Sequence, residues 1–199
     1  MSENITDKVE VSVFHKAKHG NQCSGDSYFY SETEEEFVCA LADGLGSGEV
    51  ARESSNIVID IIKNNEDATV EQLVKKANDQ LLGKRGVVIG IFKIDFKNLT
   101  YSFASIGNIG LMIVKDGKKK RNIPNAGYLG GFKRPFPVKT DKLGPKTNFY
   151  MFSDGVSDRE LSNIQIAEEE IKKVIDTFAY TIEKDRKDDT TLIAMRYEG

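Results

Sequence analysis

Ala42-Asp43-Gly44-Leu45-Gly46-Ser47-Gly48 follows directly on the apolar run Phe37-Val38-Cys39-Ala40-Leu41. The run reads as a strand, and the glycines after it let the chain turn sharply. An aspartate at this point is held by the strand while the turn beside it stays open to solvent. Other acidic turns share the arrangement. Gly25-Asp26-Ser27 leads into Tyr28-Phe29-Tyr30, Ser153-Asp154-Gly155 follows Phe149-Tyr150-Met151-Phe152, and Asp188-Asp189-Thr190-Thr191 opens the last β-type run, which ends at Tyr197. A lone Asp-Gly is a common turn dipeptide; the information lies in the set, each member beside a strand-like run.

Such turns can converge at one rim of a sheet structure, and clustered carboxylates repel unless cations sit among them. Hard divalent cations favour an all-oxygen ligand set. Four aspartates around two such ions leave a near-neutral cluster, and a pair of ions can activate a water to attack a phosphate. The expected chemistry is metal-dependent phosphate hydrolysis, with Asp26, Asp43, Asp154 and Asp188 as the candidate carboxylates.

The rest of the chain supplies the frame. Its 199 residues suit one domain, expected to span 1–199, and the formal net charge is −3. That balance gives no nucleic-acid footprint. No run approaches the ~20 apolar residues needed to cross a membrane, and the polar, acidic N-terminus does not read as a signal peptide. Cys23 and Cys39 fit no zinc or redox spacing, so the expected compartment is the reducing cytoplasm. Lys118-Lys119-Lys120-Arg121 is expected to decorate a hairpin turn at Asp116-Gly117 and to face water.

Val9 to Phe14 alternates as a half-buried strand. A helix is predicted from about Ser47 to Asn64, with Val50, Ile57, Val58, Ile61 and Ile62 inward. A second starts at Thr69, with Gln72 completing a capping box. Strands are predicted at 87–94, 99–105 and 110–114, then a proline-rich loop at 122–146 with room for one short strand. A last helix, from about Ile164 to Thr181, is announced by Ser162 and Gln165. Strands in two blocks with helices after each give an α+β fold of packed sheets covered by helices.

Ala42–Gly48, Phe152-Ser153-Asp154-Gly155 and Asp188–Thr191 together resemble the metal-dependent serine/threonine phosphatases of the protein phosphatase type 2C class, the PPM family, over Val9 to Tyr197. Within it the chain is similar to the small bacterial branch that acts on regulators of alternative sigma factors. The resemblance implies a four-layer α-β-β-α sandwich of two mostly antiparallel sheets flanked by helices. It implies two divalent ions, manganese or magnesium, held by Asp26, Asp43, the Gly44 carbonyl, Asp154 and Asp188, with Asp43 bridging. Asp189 and Asn108 stand just outside that set. The implied substrates are phosphoserine and phosphothreonine on proteins of a stressosome-type complex. Direct hydrolysis without a phosphoenzyme is the expected mechanism; the sequence leaves the oligomeric state open, with a monomer expected.

Against that family pattern, Leu45 stands where better-known members carry a histidine proposed as general acid. His15 and His19 are read as ordinary polar residues. No arginine precedes Asp26, so the usual phosphate clamp is absent; Lys18, Arg52, Lys84, Arg85 and Lys133 are the candidate cations. Asn108 replaces an aspartate linked to a third ion, which predicts two tightly held metals and at most a weak third. Substrate selection is expected at 122–146 and near Lys118. The alternatives are a non-catalytic phosphatase-fold binding module and another two-metal phosphohydrolase, such as a nucleotide phosphodiesterase.

Overall fold

The computed structural model describes residues 8–133, 135–163, 170–182 and 186–199. In chain order its elements begin with β1 (Val9–Lys16), β2 (Asp26–Glu32), β3 (Glu36–Gly44), α1 (Glu49–Lys63) and α2 (Val70–Gln80). There follow β4 (Val87–Asp95), β5 (Thr100–Ile106), β6 (Gly110–Lys115), β7 (Lys118–Asn122) and β8 (Lys139–Lys142). The chain closes with β9 (Thr147–Phe152), α3 (Asp158–Asn163), α4 (Ile171–Thr181) and β10 (Thr190–Tyr197).

The strands form two five-stranded antiparallel sheets, ordered β1-β10-β9-β6-β7 and β2-β3-β4-β5-β8. Period-2 alternation assigns each side chain to a layer. On β3, Phe37, Cys39 and Leu41 enter the core between the sheets, against Phe149, Met151, Ile193 and Met195. Val38, Ala40 and Ala42 face the other way, onto Val58, Ile62, Leu73 and Val74 of α1 and α2. On the opposite sheet Tyr150, Phe152, Leu192 and Ala194 pack against Val174 and Phe178 of α4. Three apolar layers between four layers of structure give the α-β-β-α sandwich that the family resemblance implied.

Local chemistry explains most element ends. Thr69 Oγ1 accepts from Gln72 N (3.3 Å) and Gln72 Oε1 accepts from Thr69 N (3.0 Å), the capping box read from sequence. Asp116 and Gly117 both take positive φ (50° and 69°), as a two-residue hairpin turn requires. The basic run after them is itself the edge strand β7, its lysines exposed as edge strands favour.

Two expectations need correction. Val50 is 51% exposed, while α1 buries Ala51, Ser54, Ser55, Val58, Ile59 and Ile62. Small residues replace the expected apolar ones in the first turns because the helix is pressed close against the sheet there. The predicted start of the last helix and its Gln165 cap lie outside the described residues; Ser162 Oγ instead bonds Asp158 O within α3, a helix the sequence reading did not anticipate.

Candidate active site

The inter-sheet face turns polar at one end of the sandwich. Asp43 continues the Phe37-Cys39-Leu41 side of β3, and Asp26 lies directly opposite it in register on β2. In the other sheet, His15, Ser153 and Thr191 continue the inward sides of β1, β9 and β10. The dry core therefore ends in a shelf of carboxylate, hydroxyl and imidazole groups drawn from both sheets.

Hydrogen bonds fix this shelf. Thr191 Oγ1 donates to Asp26 Oδ2 (2.6 Å), crossing from one sheet to the other. His15 Nδ1 lies 2.9 Å from the same Thr191 oxygen. Because the hydroxyl's single proton goes to Asp26, His15 Nδ1 must be the donor in that second bond. Asp189 is buried, its carboxylate accepting from Lys18 N (2.9 Å) and Gly25 N (2.8 Å). It ties the turn before β10 to the turn before β2 and so sets the position of Asp26. Asn108 Nδ2 donates to Asp154 Oδ2 (2.6 Å).

The glycines of the motifs are spacing devices. A Cβ on Gly44 would lie 1.9 Å from the Ala51 carbonyl oxygen, and one on Gly155 would lie 2.0 Å from the Asp189 carbonyl oxygen. Only glycine lets α1 settle on the Asp43 turn and the Asp154 turn settle on the Asp188-Asp189 turn. Arg186 locks the second junction, donating to Glu160 Oε1 (2.5 Å), to Thr190 Oγ1 (3.1 Å) and to the Gly155 carbonyl.

Electrostatics show what the shelf suits. Asp43 is pushed up to about 8, by burial first and then by the charges of Asp26, Asp154, Asp188 and Asp189. Asp26 is pushed up to about 6, chiefly by burial, against hydrogen bonds from Thr191 and Ser153 that pull it back. Asp154 is raised too, by partial burial and then by Asp188, with the Asn108 bond opposing. Asp26 Oδ1 is buried with no hydrogen-bond partner among the described residues. A carboxylate oxygen in that condition is costly unless a cation meets it. Among the described residues no group of three or more acidic, histidine or thiol side chains could hold one ion. Any ion here would draw on fewer carboxylates, with carbonyl and water oxygens filling its shell, as magnesium commonly arranges.

Beside Asp26 opens a polar cavity of ≈ 400 Å³ walled by His15, Gln22, Cys23, Tyr28, Arg52 and Asn56, among others. The Arg52 guanidinium makes no hydrogen bond or ion pair among the described residues. Lys84, another candidate cation, is paired with Glu53 (2.9 Å). A larger cavity of ≈ 590 Å³, lined by Glu34, Glu35, Glu36, Glu66 and Asp67, lies at the other end of the β2–β3 hairpin and takes no part in the shelf.

The structure thus brings Asp26, Asp43, Gly44, Asp154, Asp188, Asp189 and Asn108 to one place. Sequence reading missed His15, Thr191 and Arg186. Thr191 was within sight as the last residue of the Asp188-Asp189-Thr190-Thr191 motif, but its bond to Asp26 depends on how the sheets face.

The family described as stage II sporulation protein E (SpoIIE) matches residues 33–198. The chain belongs to the SpoIIE family. Phosphoserine phosphatase RsbX of Bacillus subtilis (strain 168) is 29% identical over 187 residues, covering 93% of each chain. A crystal structure of RsbX in complex with magnesium superposes with a TM-score of 0.85 at 28% identity, covering 94% of both chains. The catalytic domain of the serine/threonine phosphatase PstP, in complex with 2 manganese ions, shares the fold (TM-score 0.77, 14% identity, 96% and 99% covered). SpoIIE-family membership and a PP2C fold therefore stand on sequence and architecture together.

Proposed function

We propose that this chain is a divalent-metal-dependent phosphatase that hydrolyses phosphoserine and phosphothreonine on regulators of a stress-signalling complex. One observation carries the reading: Asp26, Asp43, Asp154 and Asp188 converge, and burial together with the neighbouring carboxylates pushes Asp43 up to about 8. The donor set is all oxygen, and the unpartnered Asp26 Oδ1 offers a ready ligand atom, so magnesium or manganese fits. Asp43, Asp26, Asp154, Asp188 and the Gly44 carbonyl would hold two such ions. When bound, the ions make a water more acidic and offset charge on the phosphoryl oxygens.

The chain's own residues do the rest. Thr191 and His15 hold Asp26 in one orientation, and Asp189 fixes the turn that carries it. Arg52 is the unpaired cation facing the cavity beside Asp26, placed to draw in a phosphoryl group. Leu45 offers no proton, so the leaving serine oxygen takes its proton from water. The phosphoserine preference is supported by the likeness to RsbX, and the stress-regulator substrate by the resemblance of the whole chain to that bacterial branch. No helix among the described residues is long and apolar enough to cross a membrane; cytoplasmic location and a monomeric state complete the proposal.

Release of phosphate from a phosphoserine peptide, a phosphotyrosine peptide and a cyclic dinucleotide, assayed side by side with manganese, tests the reading. Turnover of the phosphoserine peptide alone is expected. Turnover of the dinucleotide alone would establish the phosphodiesterase alternative instead.

A further inference from the structure

Next to the acidic shelf the surface becomes apolar, in a manner that solvent contact alone does not favour. Leu45 (36% exposed), Tyr128 (47%), Phe132 (68%) and Leu82 (72%) are the residues concerned. Single exposed apolar side chains are ordinary, whereas contiguous ones mark interaction sites. These four are linked through glycines. A Cβ on Gly86 would lie 2.3 Å from Tyr128 Cδ2 and 2.8 Å from Leu45 Cδ1, so both side chains close over that glycine. A Cβ on Gly130 would lie 2.9 Å from Tyr128 Cε2 and 3.6 Å from Phe132 Cδ2, and one on Gly131 would lie 2.7 Å from Leu82 Cα.

The patch is built rather than left over. Leu129 exchanges both backbone bonds with Val87 (2.8 and 2.9 Å), fastening the chain around it to the end of β4 that pairs with Gly44. Buried Asn78 of α2 then accepts from Gly130 N (3.2 Å) and Gly131 N (3.1 Å) and donates to Phe132 O (3.1 Å). A buried amide satisfied by three loop backbone groups fixes the loop's conformation at the cost of placing Phe132 and Leu82 in water. Leu45, one residue after Asp43-Gly44, joins the patch to the shelf, and its N–H donates to Gly86 O (2.8 Å). Arg85, whose guanidinium lies against Gly46, and Lys133 flank the patch. Neither makes an ion pair among the described residues.

We infer that Leu45, Leu82, Tyr128 and Phe132 form the docking platform for the phosphoprotein substrate, taking apolar side chains near its phosphoserine while Arg85 and Lys133 meet acidic ones. This rests on the phosphatase reading. The occupant is the substrate because the platform is continuous with Asp43-Gly44-Leu45: a protein delivering a phosphoserine to the shelf must cover it. The flanking cations suit a partner carrying phosphate and acidic residues.

The probe is a set of fluorescein-labelled 13-residue phosphoserine peptides with acidic flanks, carrying a Leu-Phe pair before the phosphoserine, after it, or nowhere. Binding is read by anisotropy, independently of turnover, and peptide kcat/KM is divided by the same protein's kcat/KM for para-nitrophenyl phosphate. The wild type is expected to bind one Leu-Phe peptide at least ~5-fold more tightly than the peptide lacking the pair, a difference set by burying two apolar side chains. Leu82→Ser/Phe132→Ser should abolish that preference in both readouts. Equal binding of all peptides by the wild type, or a preference that survives in the double variant, overturns the platform. A wild-type dimer that the double variant converts to monomer would also overturn it, assigning the patch to self-association. Absent turnover of the phosphoserine peptides and of para-nitrophenyl phosphate alike would instead sink the phosphatase reading, which the anisotropy result does not depend on.

Discussion

Removing the charge of Asp43 should make the metal-free protein more stable while abolishing its activity. The ordinary carboxyl value of 3.8 rises to about 8 in the fold, through burial and the four neighbouring aspartates. A group whose folded value is raised holds its proton more tightly folded than unfolded. Stability is therefore highest below the unfolded value and falls as pH rises through the window between the two. At pH 7 the shift corresponds to about 4 kcal/mol against the fold. Asp43 keeps some solvent contact, so about half, ~2 kcal/mol, is taken as the effect that survives screening and relaxation. Asn is nearly isosteric and cannot ionise. For a chain of this size ~2 kcal/mol raises Tm by about 4–8 °C. Circular dichroism melts in EDTA read this directly, with Asp43→Asn melting higher than wild type at pH 7.5 and the gap closing towards pH 4. Manganese should then raise the wild-type Tm and leave the variant's almost unmoved. A variant that melts at or below wild type in EDTA would refute the claim that burial and the neighbouring carboxylates make the Asp43 charge costly in the metal-free fold.

Other substitutions probe the supports. Gly44→Ala drives a methyl into the Ala51 carbonyl and should cost about 3 kcal/mol, read as a fall in Tm with loss of activity. Arg186→Ala leaves Glu160 without its half-buried partner and frees the Gly155 turn; about 3 kcal/mol of destabilisation in urea melts is expected, with kcat lowered. Arg52→Ala should raise KM for a phosphoserine peptide about tenfold with a smaller effect on kcat, as loss of a charge-assisted hydrogen bond implies; an unchanged KM would place the phosphoryl group elsewhere. Calorimetric titration with manganese should give two ions per chain, and three tightly bound ions would contradict the reading of Asn108.

Strand-end aspartates were legible in the sequence because each motif touches its own apolar run. Asp43 could be placed at the end of β3 from Phe37–Leu41 alone. Its register opposite Asp26 could not be read, since pairing between β2 and β3 depends on the hairpin closing at Thr33–Glu36. The capping box at Thr69 and the Asp116-Gly117 turn are local chemistry and were read correctly. Val50 misled because helical spacing identifies a stripe but not which edge of it the sheet covers; Ala51, Ser54 and Ser55 are too small and polar to signal burial. His15 looked ordinary because its partner, Thr191, is 176 residues away. Arg186 sits among charged residues near the chain's end, and only the packing of two turns shows what it braces. Leu82 and Phe132 carried no sequence signal either, since an exposed apolar residue and a buried one are written with the same letter.

Phosphate release from a phosphoserine peptide tests the central claim most directly, measured across manganese concentrations for wild type and Asp154→Asn in parallel. Asp154 is exposed and tied to Asn108 alone among the side chains described, so its loss should leave the fold intact. The account predicts turnover that rises with manganese, vanishes in EDTA and is abolished in the variant. Turnover undiminished by EDTA, or retained near wild-type level by Asp154→Asn, would contradict it.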